Sequence, residues 1–331
     1  MSLIPAQLGA ALVEATRHPL ALLTSSAAPL QSVITSLAQG HAVTDTQLLA
    51  AAGRADTLHS RAGILERIQG REGRDIAVLH LHGIALYSFE FPGLAYSTQR
   101  LAQTLRQLTA DNTISGIILN INSPGGTVTG IEEAADAIFA ARKVKSVVAV
   151  ANPFAASAAY YLASQATSLA VVPSGEVGSI GVWILHFSFA ESMRMSGVEP
   201  TYIFAGERKV DANFLEPLSD RARGTLQADV DAFYKQFTEH VARGRGVSVS
   251  QARGSLFGKG DMILARKAVR FGMADRLATL EDEIGRMASA AGGAESSPRR
   301  ATKKAAGRRL SETNEQKRAR LNRRLALERK I

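Results

Sequence analysis

The chain has 331 residues, 46% hydrophobic and 21% charged, a composition that excludes a wholly disordered or fibrous protein and leaves room for a sizeable core. It contains no cysteine, which rules out disulfides, thiolate nucleophiles and cysteine zinc sites, and no apolar run reaches the roughly 18–20 residues of a membrane-spanning helix. The net charge of +9 is local: residues 299–331 hold 13 basic and three acidic side chains, against 26 basic and 27 acidic in the remainder.

The first residues lack a basic start followed by a long apolar stretch, and Glu14 and Arg17 interrupt them, so neither a signal peptide nor a membrane anchor is expected. Residues 1–72 read as a helical N-terminal extension. Helices are predicted over residues 5–16 and in a segment capped by Thr44 or Asp45. Gly70 and Gly73 mark its end.

The texture changes at Asp75. Residues 76–79, 116–121, 146–151 and 169–172 are short apolar runs that read as strands. Helices are predicted between them, over residues 97–110, 127–142 and 157–165. Continuous apolar strands alternating with helices indicate βαβ units around a buried, largely parallel sheet. Leu226, Val230, Phe233, Phe237 and Val241 then recur at helical spacing. Further helical segments follow over residues 265–277 and 280–288. A small-residue linker begins at Ala291 and leads into the basic tail. The expected domains are therefore 1–72, 73–290 and 291–331.

Four short segments carry candidate chemistry. Asn122-Ser123-Pro124-Gly125-Gly126 ends a predicted strand, where glycines leave amides uncovered for a developing oxyanion. A plain strand-to-helix turn explains it equally well. Ser157 stands among alanines between a strand and a helix, where a serine serves either as a nucleophile or as a helix cap. Gly178-Ser179-Ile180-Gly181-Val182 is otherwise a glycine-flanked strand start. Gly206-Glu207-Arg208-Lys209-Val210-Asp211 holds a lysine that, taken alone, is an ordinary surface residue.

Together with Ala265-Arg266-Lys267-Ala268-Val269-Arg270-Phe271-Gly272-Met273-Ala274-Asp275, these segments follow one another in a specific order. In order and spacing the region from about residue 75 to 277 resembles the signal-peptide peptidase A-like serine peptidases, relatives of the Clp protease proteolytic subunit. Within them it is most similar to the phage prohead (capsid assembly) protease branch. The resemblance implies an α/β fold of the Clp/crotonase type. It implies Ser157 as nucleophile, Lys209 as general base and Ser179 as a hydrogen-bond partner of the lysine amine. Gly126 and Ala158 would supply the oxyanion-hole amides. No cofactor and no metal are implied.

A Ser-Lys pair is chemically coherent, because a desolvated lysine loses its proton readily and can then accept one from a serine hydroxyl. His186 is the competing base, lying after Ser179 in the region where the Clp subunit carries its histidine. His80 and His82 alternate along a strand and read as structural. The resemblance further implies scaffold, capsid or portal proteins as substrates, in the host cytoplasm and prohead interior. It implies a homo-oligomer whose active sites are shared between chains. The basic tail reads first as a solvated extension and second as a docking segment for an acidic partner: scaffold, shell or nucleic acid. Two other functions remain open. One is a cellular signal-peptide peptidase that degrades membrane peptides; the other is a catalytically silent shell or scaffold-binding protein.

Overall fold

A computed structural model describes residues 20–22, 65–70, 73–90 and 94–290, with only the backbone described at 20–22. The helices expected over residues 5–16 and after Thr44, and the basic tail, lie outside the described residues. The described residues all fall within one compact unit.

In chain order the strands are β1 (Leu20–Leu22), β2 (Leu65–Ile68), β3 (Asp75–His82), β4 (Ile84–Leu86), β5 (Ala95–Ser97), β6 (Ile114–Ser123), β7 (Gly125–Thr127), β8 (Ser146–Ala156), β9 (Ser168–Val171), β10 (Glu176–Gly178), β11 (Met262–Leu264) and β12 (Arg276–Leu277). The helices are α1 (Thr98–Ala110), α2 (Ile131–Ala141), α3 (Ala158–Ala163), α4 (Ala190–Met195), α5 (Asp220–Arg245), α6 (Val249–Ala252), α7 (Ala265–Phe271) and α8 (Leu280–Ala290).

The expected α/β architecture with a parallel sheet is present. β3, β6, β8 and β9 pair in parallel at the centre of the larger sheet. Their interior residues are apolar on both faces because both faces are covered. Leu79, Ile117, Leu119 and Val147 pack under α1, α2 and α3, whereas Ile76, Val78, Ile118 and Val150 pack under α8 through Met287. α1 buries Leu101, Leu105 and Leu108, and its N-cap is Ser97, whose Oγ accepts the Arg100 amide at 3.1 Å.

Two expectations shift. In the N-terminal region the described residues form strands: β2 pairs antiparallel with β3, so the sheet begins before the expected boundary at residue 72. The helix expected from residue 127 starts at Ile131, because residues 125–127 are drawn into β7 and Gly130 turns the chain at φ +78°.

The smaller sheet runs β1-β7-β4-β5. β8 connects the layers that matter for function. Its first half pairs with β6 on one edge and β9 on the other; its second half meets β10, with Ala156 opposite Gly178.

The far side of this framework is locked by one ion pair. Arg245, at the end of α5, donates to both oxygens of Asp275 at 2.7 and 2.9 Å and to the Gly272 carbonyl at 3.1 Å. The Asp275 carboxylate also accepts the Leu169 amide of β9 at 2.7 Å. Burial opposes ionisation of Asp275, but these hydrogen bonds and the Arg245 charge outweigh it and hold the carboxyl below its ordinary value. A depressed carboxyl contributes stability at neutral pH that is lost as pH falls below its unfolded value of about 4. Because Asp275 is partly exposed and its ion pair is screened by solvent, Asp275→Asn is expected to lower stability at pH 7 by about 1 kcal/mol and to have a smaller effect at pH 3. Urea denaturation at the two pH values checks both parts.

Candidate active site

The apolar strand β8 ends at Ala156 and the chain turns at once into α3. Ser157 occupies the turn with φ +54° and ψ −119°, a backbone conformation that a residue bearing a Cβ adopts only at an energetic cost of about 1–3 kcal/mol. Three interactions hold it there. Its amide donates to the Gly178 carbonyl at 2.8 Å, and its own carbonyl accepts the Tyr161 amide at 2.9 Å. Tyr160, one turn into α3, is fully buried and donates its hydroxyl to the Met273 carbonyl at 3.0 Å. Burial pushes the Tyr160 phenol far above its ordinary value, so it remains a donor.

Ser157 is not a conventional helix cap, since its side chain caps no α3 amide. Its Oγ points instead to the Gly181 carbonyl at 3.4 Å. The first-turn amides of α3, beginning with Ala158, have no acceptor within the helix. A buried serine at the start of a helix, beside amides without intrahelical acceptors, is a residue type and placement from which acyl transfer can be built.

Ser179 repeats the geometry next door. It follows Gly178, has φ +53° and is 8% exposed, with its amide on the Asp261 carbonyl at 2.9 Å. The Ala156–Gly178 register places the two left-handed serines at adjoining strand ends. Gly178 itself has φ +133°, and a Cβ there would lie 2.6 Å from the Asp261 carbonyl oxygen. Gly126 lies on β7, against which α3 packs. A Cβ on Gly126 would lie 1.9 Å from the Ala85 carbonyl oxygen, so β4 and β7 approach more closely there than any side chain allows.

Lys209 is not brought to Ser157 within the chain. It is exposed, on a turn closed by its amide and the Gly206 carbonyl at 2.9 Å, and among the described residues no hydrogen bond joins it to Ser157. The turn belongs to an arm of residues 184–218 that carries unusual apolar exposure: Ile203 is 98% exposed, Met195 77% and Phe214 56%. Arg221 at the start of α5 fixes the turn from both sides, through Glu207 at 3.1 Å and Asp211 at 2.8 Å. Nothing in the sequence singles out Arg221; only the fold places it across the turn.

His186 sits in the same arm and is held on the Asn213 carbonyl at 3.1 Å, not on Ser157. His80 and His82 bond to Asn120 at 3.0 and 3.3 Å. Burial, aided by the neighbouring His80, lowers the His82 pKa to about 4, so His82 is neutral at physiological pH. The amphipathic stripe of α5 divides. Phe237 and Val241 enter the core, whereas Leu226 and Val230 face Val182, Trp183 and Ile184 across a groove of about 550 Å³.

Residues 140–293 match the model of Peptidase family S49, and residues 95–176 match that of Clp protease. The chain is 37% identical over 186 residues to Head-tail preconnector protein GP5 of Enterobacteria phage P21, covering 56% of this chain and 36% of that protein. It is 36% identical over 180 residues to Capsid assembly protease C of Escherichia phage lambda, covering 54% of this chain and 40% of that protein. Putative signal peptide peptidase SppA of Enterococcus faecium is more distant, at 25% identity over 223 residues, 65% of this chain and 63% of that protein. The match thus spans well under half the length of the two phage relatives. The resemblance drawn from the five motifs is borne out by these matches, as is the Clp-like α/β fold.

The serine pair makes a prediction about its glycines. Gly178→Ala must force both the backbone conformation and the Asp261 contact, and is expected to destabilise the protein by about 2 kcal/mol. Gly181→Ala meets nothing within 4 Å and is expected to change stability by less than about 0.5 kcal/mol. Denaturant midpoints of the two variants test the difference.

Proposed function

We propose that this S49-like chain is a serine endopeptidase using a Ser-Lys dyad, and that it processes scaffold, capsid or portal proteins during the maturation of a phage prohead. The observation that carries the reading is Ser157, buried on a strained strand-to-helix turn with uncovered helix amides beside it and the glycine-rich β7 nearby. The phage relatives, named for capsid assembly and head-tail connection, supply the setting. No helix among the described residues is long and apolar enough to cross a membrane.

In this reading Ser157 Oγ adds to the scissile carbonyl carbon while Lys209 Nζ takes its proton. The Ala158 and Gly126 amides hold the carbonyl oxygen as it becomes negative. Lys209 returns the proton to the departing amine, and the C–N bond breaks to leave an acyl-Ser157. A water molecule, deprotonated by the same lysine, then hydrolyses the ester. Ser179, beside Ser157 at the adjoining strand end, would bond the lysine amine.

The dyad is completed between chains. Lys209 must leave water to act as a base, yet it is exposed on an arm with a broad apolar surface. Patches of that kind on a folded surface mark protein contacts. A second copy of the chain, covering the arm, would bury Lys209 and carry the Ser157 that it serves. Arg221 acts as a positioning residue, since it fixes the Lys209 turn without reaching the serine. The basic residues 299–331 are proposed to dock on an acidic partner.

Ser157→Ala and Lys209→Ala are each expected to abolish cleavage of labelled casein, and His186→Ala to retain most of it. Mixing the two inactive proteins under conditions of subunit exchange should restore part of the activity, because some interfaces then pair an intact serine with an intact lysine. Continued inactivity despite demonstrated exchange would refute the shared site. If His186→Ala is dead and Lys209→Ala active, the base is misassigned. Arg221→Ala is expected to lower kcat at least tenfold while shifting Tm by no more than about 2 °C, since exposed ion pairs contribute under about 1 kcal/mol to stability.

A further inference from the structure

Strand β7 has two edges. One pairs in parallel with β4, where Ala85 lies opposite Gly126. The other takes up β1, a segment drawn from far back in the chain, in antiparallel register: Leu20 opposite Thr127, Ala21 opposite Gly126 and Leu22 opposite Gly125. β1 forms the outer edge of this sheet. Without it, β7 would present a row of unpaired amides and carbonyls, which is the template on which an extended peptide adds as a strand.

The position of that edge matters. α3, which begins immediately after Ser157, packs against β7. Ser123, two residues before β7, pairs with Ala155, two residues before Ser157. A chain laid along β7 therefore runs beside the serine turn. Gly125, at φ +96°, and Gly126 present no side chain toward it, so recognition there is through backbone.

We propose that Leu20–Leu22 is a tethered occupant of this peptide-binding edge, an internal strand that competes with substrate for β7. The proposal rests on the peptidase reading for its consequence, because only a peptidase makes that edge a substrate site. Residues 23–64 separate the strand from β2, and at about 3.4 Å per residue they are long enough for it to leave and return. A segment on the same chain competes intramolecularly with a free peptide, which favours the tethered strand at low peptide concentration. The occupant, Leu-Ala-Leu, also indicates the class of external chain that fits: a short extended apolar segment.

The test uses the full chain in an uncleaving Ser157→Ala background. Ala21→Pro removes an amide from the ladder and fixes φ near −65°, which a paired strand does not accommodate. The probe is a fluorescein-labelled synthetic peptide with the sequence of residues 17–26, followed by anisotropy. Ser157→Ala/Ala21→Pro is expected to bind it at least fivefold more tightly than Ser157→Ala alone, with Tm unchanged within about 2 °C. Equal affinity overturns the proposal. So does a large drop in Tm without a gain in affinity, which would make β1 a permanent part of the sheet. A parallel casein assay on the Ser157-containing protein separates the two claims. Tighter binding without Ser157-dependent cleavage leaves the strand exchange standing and refutes the peptidase. Ser157-dependent cleavage with unchanged peptide affinity does the reverse.

Discussion

The site depends on one alignment, the parallel pairing of the last three residues of β8 with β10. It sets Ala156 opposite Gly178 and so delivers Ser157 and Ser179 to the same level at neighbouring strand ends. The Ser157 amide closes on the Gly178 carbonyl, and the Ser157 hydroxyl reaches past it to Gly181. Both serines hold left-handed backbone conformations at a cost of about 1–3 kcal/mol each, which the surrounding structure must offset. The apolar interior of β6 and β8 and the buried α3 supply that support, since a close-packed interior resists the movement that would relieve either turn.

The lysine arm is built on other terms. Residues 184–218 hold together through polar pins: His186 on Asn213, Phe189 on Phe214 through backbone, and Arg221 across Glu207 and Asp211. α4 within the arm buries none of its residues. Exposed pins of this kind fix direction while adding little stability. The molecule thus combines a rigidly held Ser157 with a Lys209 carried on an arm that packs weakly against its own domain, the proposed nucleophile and base respectively. The two halves of α5 repeat the division: Phe237 and Val241 are core, while Leu226 and Val230 face a groove.

The sequence made the parallel core legible because its signals are local. The runs at 76–79, 116–121 and 146–151 are apolar on both faces, which is what a covered parallel strand requires, and Leu101, Leu105 and Leu108 step at the helical period. The short strands escaped it. β4, β5, β7, β10 and β11 have three residues each, too few to show a period, and exist only because a distant partner completes them. Residues 127–130 read as the start of a helix until β4 and β1 claim β7. At the site, Ser157 and Ser179 were visible through their glycine and alanine neighbours. The strain at each serine, the Tyr160 anchor and the clamp by Arg221 are tertiary facts with no local signature.

These features bear on when such an enzyme could act. Serine attack needs a lysine out of water, oxyanion amides in place and a peptide held along β7. In the proposed mechanism a single chain offers the Ala158 amide toward the second condition, while the other proposed donor, Gly126, lies on β7, which is paired on both edges. The chain leaves Lys209 in solvent and fills the β7 edge with its own backbone. The first and third conditions would be met by different events. Contact between copies would desolvate the lysine, and arrival of a competing peptide would displace β1. A protease made beside the proteins it must later cut has reason to require both, because neither dilute chains nor an assembly without an extended substrate would then cleave. In the proposed mechanism the strain at Ser157 is the part the chain can build in advance, since it depends only on the chain's own sheet, whereas the proposed base and substrate edge would be completed by partners.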